Sequence, residues 1–162
     1  MKATAFFGAI LLWPLVLTVS ASDQEPAAST SLSVPRCDPA IEKPLEQAIL
    51  LNEPGWKVSA HYRSSANTLV WEWKNGRREV DLDVICLASA ADAARHVVRT
   101  LRGIELPSYS SISGVGDEAY WDQNSGWVTV RTKTVVINVR GHRVKATVMK
   151  RFAERLATAI GN

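Results

Sequence analysis

Hydrophobic residues recur along this chain with two spacings, one typical of helices and the other typical of strands. The first helical segment follows Asp38-Pro39, a pair that favours helix initiation, and ends at NEPG (52–55). Its apolar positions are Ile41, Leu45, Ala48 and Ile49. Pro44 interrupts the segment, and this predicts that the first turn is separate or kinked.

Three strands are predicted next, over residues 56–63, 68–74 and 78–87. The second and third flank KNGR, and Asn75-Gly76 is a strong signal for a hairpin turn. Alternation in the third strand predicts two faces. Val80, Leu82, Val84 and Cys86 lie on one face, and Asp81, Asp83 and Ile85 lie on the other.

A second helix begins at Ser89-Ala-Ala-Asp92, which resembles a capping box, and stops at Gly103. Its apolar stripe is Ala90, Ala93, Ala94, Val97, Val98 and Leu101. Residues 104–117 are typical of a loop. EAYWD, GWVTVR and KTVVINVR then predict three strands, and residues 145–160 predict a last helix with Met149, Phe152, Ala153, Leu156 and Ile160 buried.

The predicted order is therefore α-βββα-βββα, in which the second βββα unit repeats the first in type and length. Residue identity between the units is low, so the repeat is architectural. This order predicts one α+β domain over residues 36–162, with two layers: an antiparallel sheet and helices on one of its faces.

The N-terminus predicts export. Residues 1–21 combine Lys2, an uncharged apolar run and a small-residue cleavage site at Val19-Ser20-Ala21, as a secretory signal peptide does. The alternative is an uncleaved N-terminal membrane anchor, against which Pro14 and the cleavage site argue. Residues 22–35 are rich in Ser, Ala and Pro and predict a disordered leader. We expect a secreted or periplasmic protein.

Export places Cys37 and Cys86 in an oxidising compartment, so we expect them to form a structural disulfide. The chain has a formal net charge of +3, which is distributed unevenly. Residues 22–122 are net acidic, whereas residues 123–162 contain Glu154 as their single acidic residue. The basic end could complement the acidic part or face an acidic partner. Nucleic acid is not expected as a partner of an exported protein.

Catalytic motifs are largely missing: the chain has no G-x-S-x-G, no H-E-x-x-H and no P-loop. Gly114-x-Gly116 precedes a predicted strand rather than a helix, which is the wrong context for a dinucleotide site. Asp117 and Glu118 are adjacent, so as strand residues they would point to opposite faces. We interpret GVGDE as a tight turn in which Asp117 bonds neighbouring amides.

Two sets of side chains remain as candidates on the strands. Asp81 and Asp83 share a face, and with Glu72 and His61 they could hold a divalent cation or serve a hydrolase. A solvated sheet face is the more ordinary interpretation. Trp71 and Trp73 also share a face, which is either core or an open aromatic platform; Glu72 and Lys74 on the other face favour core.

The helices predict a basic surface. Arg95, Arg99 and Arg102 follow one side of the second helix, while Lys150, Arg151 and Arg155 lie on the last. If the two helices are neighbours, these residues form a strip that could bind an envelope protein, an anionic polymer or a lipid headgroup. An ordinary solvated helix surface is the alternative.

GVGDEAYW, GWVTVRTKTVVINVRG and RFAERLATAI, within residues 112–160, resemble small bacterial exported proteins with a G-x-G-D-E-A-Y turn. Those proteins are similar in outline to mycobacterial-type lipoproteins and to the extracellular sensor domains of some serine/threonine kinases. The resemblance implies an antiparallel sheet with helices on one side and no established catalytic residues. This chain differs from the lipoproteins because no cysteine directly follows its apolar N-terminal run, where a lipidation cysteine would stand.

These observations predict an exported, non-catalytic binding domain of the bacterial cell envelope, without a cofactor or resident metal. A periplasmic hydrolase or metal-binding protein that uses the Asp81/Asp83 face is the alternative from another class. A periplasmic immunity or inhibitor protein is a third hypothesis.

Overall fold

The structure, a computed structural model, describes residues 35–103 and 109–161. The predicted signal peptide (1–21) and all of the predicted leader except Pro35 lie outside the described residues. So does the 104–108 part of the predicted loop.

The described residues form an α+β fold, as the sequence predicted. A 3-10 turn at Pro39–Ile41, capped by the Asp38 carboxylate, is separate from the first helix, as Pro44 led us to expect. The elements that follow are α1 (Glu42–Leu50), β1 (Lys57–Ser65), β2 (Thr68–Asn75), β3 (Arg78–Cys86), α2 (Ala90–Arg102), β4 (Tyr109–Ser111), β5 (Glu118–Asp122), β6 (Trp127–Thr132), β7 (Val135–His142) and α3 (Ala146–Gly161). No helix in these described ranges is long and apolar enough to cross a membrane.

The seven strands of the described residues belong to one antiparallel sheet with the order β1-β2-β3-β7-β6-β5-β4. The β1-β2-β3 and β5-β6-β7 units meet where β3 pairs with β7, so the strand part of the predicted repeat is present. β4 is an additional strand within the segment predicted as a loop, and it pairs with β5. The observed order is thus α-βββα-ββββα.

The main hydrophobic core lies on one face of the sheet, which we call the core face. α1 and α3 pack there over alternate strand residues. Leu45 of α1 and Phe152 and Leu156 of α3 are fully buried in this core. Gly141 allows α3 to approach β7 closely, because a Cβ atom at this position would lie 2.3 Å from the Met149 sulfur.

The second helix contradicts the prediction that all helices lie on one face. Ala93, Val97 and Leu101 of α2 form a separate small cluster with Val136, and Ile85 packs against it. Val136 and Ile85 point away from the core face, to what we call the outer face. α2 therefore covers the apolar end of the outer face, and the sheet has helices on both sides. The predicted two-layer arrangement is wrong in this respect because Ile85 and Val136 need a cover of their own.

The β2–β3 hairpin forms as predicted, but its two loop residues are Gly76 and Arg77 rather than Asn75 and Gly76. Asn75 pairs with Arg78, and Gly76 has a φ of +62° at the first loop position. This turn sets the register of the whole hairpin, and with it the residues that face each other on the outer face.

Two further local predictions are confirmed. Cys37 and Cys86 form a disulfide that joins the segment before α1 to the end of β3. The Ser89 hydroxyl accepts a hydrogen bond from the Asp92 backbone N–H at 3.1 Å and donates to the Asp92 carboxylate at 2.7 Å, so Ser89 caps α2.

Candidate functional site

The part of the outer face that α2 leaves open contains a concave pocket of about 210 Å³. Its walls come from five strands: β1, β2, β3, β7 and β6. The lining residues are Tyr62, Val70, Glu72, Asp81, Asp83, Trp127, Asn138 and Arg140. We call this set the outer-face pocket.

Strand register places the charged residues of the pocket side by side. Glu72 of β2 lies opposite Asp81 of β3, and Asp81 in turn lies opposite Arg140 of β7. Asp83 is two residues further along β3 and shares the same face. The prediction that Glu72 lies near Asp81 and Asp83 agrees with this register.

Arg140 stacks on an aromatic ring instead of pairing with the acid beside it. Its guanidinium carbon lies 4.1 Å from the centroid of the Trp127 ring, and Trp127 is its partner across the β6–β7 ladder. Among the described residues, neither Arg140 nor the carboxylates of Glu72, Asp81 and Asp83 form a side-chain hydrogen bond or an ion pair. The pocket thus contains charges of both signs that are available to another molecule.

The pocket changes the proton affinity of Asp83. Burial raises the pKa of Asp83 above its usual value, and the nearby Asp81 charge adds to this effect while Arg140 opposes it. Asp83 is therefore easier to protonate than an exposed aspartate.

His61 does not belong to this pocket, although the sequence suggested that it could join the carboxylates. It lies on the opposite side of β1, stacked on Trp71 with ring centroids 4.3 Å apart, and its Nε2 is 3.5 Å from Glu42. Within residues 35–103 and 109–161, no three His, Cys, Asp or Glu side chains are arranged to hold a metal ion.

Trp71 and Trp73 lie in the core, which was the favoured interpretation of their alternation. Both side chains are fully buried on the core face. Their indole N–H groups have no hydrogen-bond acceptor among the described residues. These two residues are therefore not available as an aromatic platform.

The six basic residues of the predicted strip are separated by the sheet. Arg95, Arg99 and Arg102 lie on α2 at the outer face, and Arg95 pairs with Asp92. α3, which carries Lys150, Arg151 and Arg155, packs on the core face. The two helices are therefore not neighbours, and the six residues do not form the continuous basic strip that the sequence suggested.

Two of the α3 cations have a structural partner. The Arg151 guanidinium donates to both carboxylate oxygens of Glu53, at 3.0 and 3.2 Å, and Arg155 donates at 3.5 Å. The Glu53 side chain is only 8% exposed. The hydrogen bond from Arg151 holds the pKa of Glu53 below its usual value. These contacts join the end of the α1 segment to α3.

The GVGDE stretch links two turns of the sheet rather than forming a catalytic site. The Asp117 carboxylate accepts from the Lys133 backbone N–H at 2.7 Å and from Arg131 at 2.9 Å, and Glu118 accepts from the same guanidinium. Because β5 begins at Glu118, Asp117 precedes the strand, and the two carboxylates converge on Arg131. The expectation that they point apart is wrong, and Asp117 bonds a distant turn rather than its own.

Gly116 makes this arrangement possible. Its φ is +58°, and a Cβ atom there would lie 2.4 Å from the Arg131 carbonyl oxygen. A residue with a side chain would therefore separate the Asp117 carboxylate from β6.

The pocket residues that sequence reasoning missed lie on β1, β2, β6 and β7. Asn138 and Arg140 alternate with the apolar Ile137 and Val139, so their shared face was readable from the pattern. Their position beside Asp81 and Asp83 was not, because it depends on the pairing of β3 with β7, two strands that are far apart in the chain.

In comparisons with known proteins, no family model, no curated protein and no solved structure matches this chain.

Proposed function

We propose that this protein is an exported, non-catalytic binding domain of the bacterial cell envelope that takes up a ligand in its outer-face pocket. The predicted signal peptide supports export, and the Cys37–Cys86 disulfide is typical of proteins in an oxidising compartment. The missing catalytic motifs favour binding over catalysis.

The observation that carries the proposal is the charge in the pocket that has no ion-pair partner among the described residues. Like charges directly opposite each other on a sheet are destabilising, and Glu72 faces Asp81 in this way. Further along the same hairpin, Lys74 faces Glu79 and forms an ion pair of 3.4 Å. The hairpin thus has a stabilising charge pair outside the pocket and a destabilising one inside it, which a ligand would explain.

The experiment is a ¹⁵N–¹H NMR titration of the purified protein with the low-mass fraction of an envelope extract. We expect the amide shifts to change in β2, β3 and β7, around the outer-face pocket. A Glu72→Gln/Asp81→Asn variant should lose these changes. Glu154→Gln, which removes a carboxylate from α3 on the other face, should keep them. Shift changes confined to α1 and α3, or none in any fraction, would refute the proposal.

A hydrolase that uses the same pocket is the second candidate, and the raised pKa of Asp83 favours it. A carboxyl group that stays protonated to a higher pH is suited to act as a general acid. This candidate predicts turnover of an envelope-polymer fragment that Asp83→Asn abolishes while binding persists. Binding without turnover in the unsubstituted protein would favour the non-catalytic proposal.

A further inference from the structure

The outer-face pocket separates its positive and negative groups more than the strand register requires. Asp81 and Arg140 are direct neighbours across the β3–β7 ladder, the position in which an ion pair forms readily. Arg140 instead stacks on Trp127 at 4.1 Å, and Asp81 has no ion-pair partner among the described residues. One side of the pocket therefore presents a guanidinium, and the other presents Glu72, Asp81 and Asp83.

We infer that the ligand is a small zwitterion of the α-amino acid class. This inference rests on the binding function proposed above and names the ligand class for the same pocket. The ligand ammonium group would lie against the carboxylates of Glu72 and Asp81, and its carboxylate against Arg140. An ammonium group has three donors for the acids, and a guanidinium matches a carboxylate with two parallel hydrogen bonds.

Pocket size and the remaining walls agree with a free amino acid. A volume of about 210 Å³ is below the range of about 300–1,000 Å³ that is typical of ligand pockets, so it favours a small ligand. Val70 and the half-exposed ring of Tyr62 add an apolar wall suited to a short aliphatic side chain.

A metal ion is a poorer occupant. Divalent cations need oxygen ligands at about 2.0–2.6 Å on several sides, and no three acidic or histidine groups in the described residues are arranged for this. The guanidinium of Arg140 would also repel a divalent ion, whereas a zwitterion uses it.

Calorimetric titration with three matched probes tests the inference: valine, valinamide and N-acetylvaline. Valine carries both charges, valinamide only the ammonium group, and N-acetylvaline only the carboxylate. We expect valine to bind at least about tenfold more tightly than either of the others, because it alone makes charge-assisted hydrogen bonds with both halves of the pocket. D-valine and the tripeptide Gly-Val-Gly complete the panel. Tighter binding of the tripeptide than of valine would overturn the assignment to a free amino acid. Similar binding of D- and L-valine would support recognition through the two charges.

Variants separate the two halves of the site. Arg140→Gln should weaken valine about tenfold and leave valinamide unchanged, so that the two probes bind alike. Glu72→Gln/Asp81→Asn should weaken valine and valinamide but not N-acetylvaline. The matched control is Arg102→Gln, which removes a guanidinium from α2 that has no ion-pair partner among the described residues. These ratios between probes do not depend on the folded fraction of a variant.

The inference fails separately from the proposed function. If envelope compounds shift the pocket amides but valine does not bind, the ligand class is wrong and the binding function stands. Equal affinity for valine and butylammonium chloride would likewise overturn the role of Arg140. If nothing shifts the pocket amides, both proposals fall.

Discussion

Glu53 is expected to be one of the most important polar residues for stability, although it lies in a turn. Its carboxylate is nearly buried, with a side chain 8% exposed, and it accepts hydrogen bonds from Arg151 and Arg155 of α3. We consider the substitution Glu53→Gln, which keeps the shape of the side chain and removes its charge.

The magnitude follows from the hydrogen bonds that the substitution weakens. Charge-assisted hydrogen bonds are about twice as strong as neutral ones, and each contributes about 1.5–3 kcal/mol. Breaking a fully buried ion pair costs about 3–5 kcal/mol, but the side chains of Arg151 and Arg155 are 47% and 37% exposed, so water screens them. We therefore expect Glu53→Gln to lower the free energy of unfolding by about 2 kcal/mol, and Tm by roughly 5–10 °C.

The effect also depends on pH in a defined direction. The pKa of Glu53 is lowered in the folded protein by its hydrogen bond from Arg151, from an ordinary value of 4.5. The stabilisation is therefore fully present above pH 4.5 and is lost as the pH falls through the folded-state pKa. The difference between the two proteins should shrink over this acidic range.

Urea unfolding at pH 7 and at a series of acidic pH values measures both effects. Glu46→Gln, which removes a carboxylate from α1 that has no partner among the described residues, serves as the control and should change stability by less than about 0.5 kcal/mol. A destabilisation by Glu53→Gln as small as that of the control would refute the reasoning, as would one that stays constant into acid.

Three further predictions concern the disulfide, the GVGDE turn and the pocket. Replacing Cys37 and Cys86 by Ser should lower the free energy of unfolding, measured in urea, by about 4 kcal/mol, because the disulfide joins residues 49 positions apart and so restricts the unfolded chain. Unfolding that is the same with and without reductant would contradict this. Asp117→Ala should lower the free energy of unfolding by about 1–2 kcal/mol, because the substitution removes the hydrogen bonds that Asp117 accepts from Arg131 and from the β6–β7 turn. Thermal melting measures this effect. Unchanged melting together with abolished ligand binding would instead show a functional role. Asp83→Asn should raise stability at neutral pH, because the raised pKa of Asp83 means that its contribution to stability falls as the pH rises from 3.8 to the folded-state value. Differential scanning calorimetry should show that the stability advantage of the variant grows across this range, and an advantage that is absent or independent of pH would contradict the prediction.

The elements of the fold were readable from the sequence because each has a clear local signal. Ser89 and its capping partner predicted the start of α2, and the alternation of Val80, Leu82 and Val84 predicted the core face of β3. The placement of α2 was not readable, because its apolar stripe fits either side of a sheet. Ile85, which shares its face with Asp81 and Asp83, was a signal that the outer face needs a helix, and Val136 was another.

The candidate site was partly readable for the same reason. Asp81 and Asp83 were singled out because alternation within one strand puts them together. Arg140 and Trp127 were not, since they join the site through strand pairing between distant segments. Glu53 was missed as the partner of Arg151 because their separation of 98 residues leaves no local pattern.

The open sheet has a consequence for association between copies of the protein. A sheet that does not close leaves backbone N–H and C=O groups at its two borders, where strands of another molecule could add. β4, with three residues, offers little length for such pairing. β1 is nine residues long, but its pairing with β2 shifts between Val58 and Ala60 and again between Arg63 and Ser65. These register shifts interrupt the regular ladder of the border strand, and its charged side chains discourage strand addition, so β1 can remain exposed without becoming a template for aggregation.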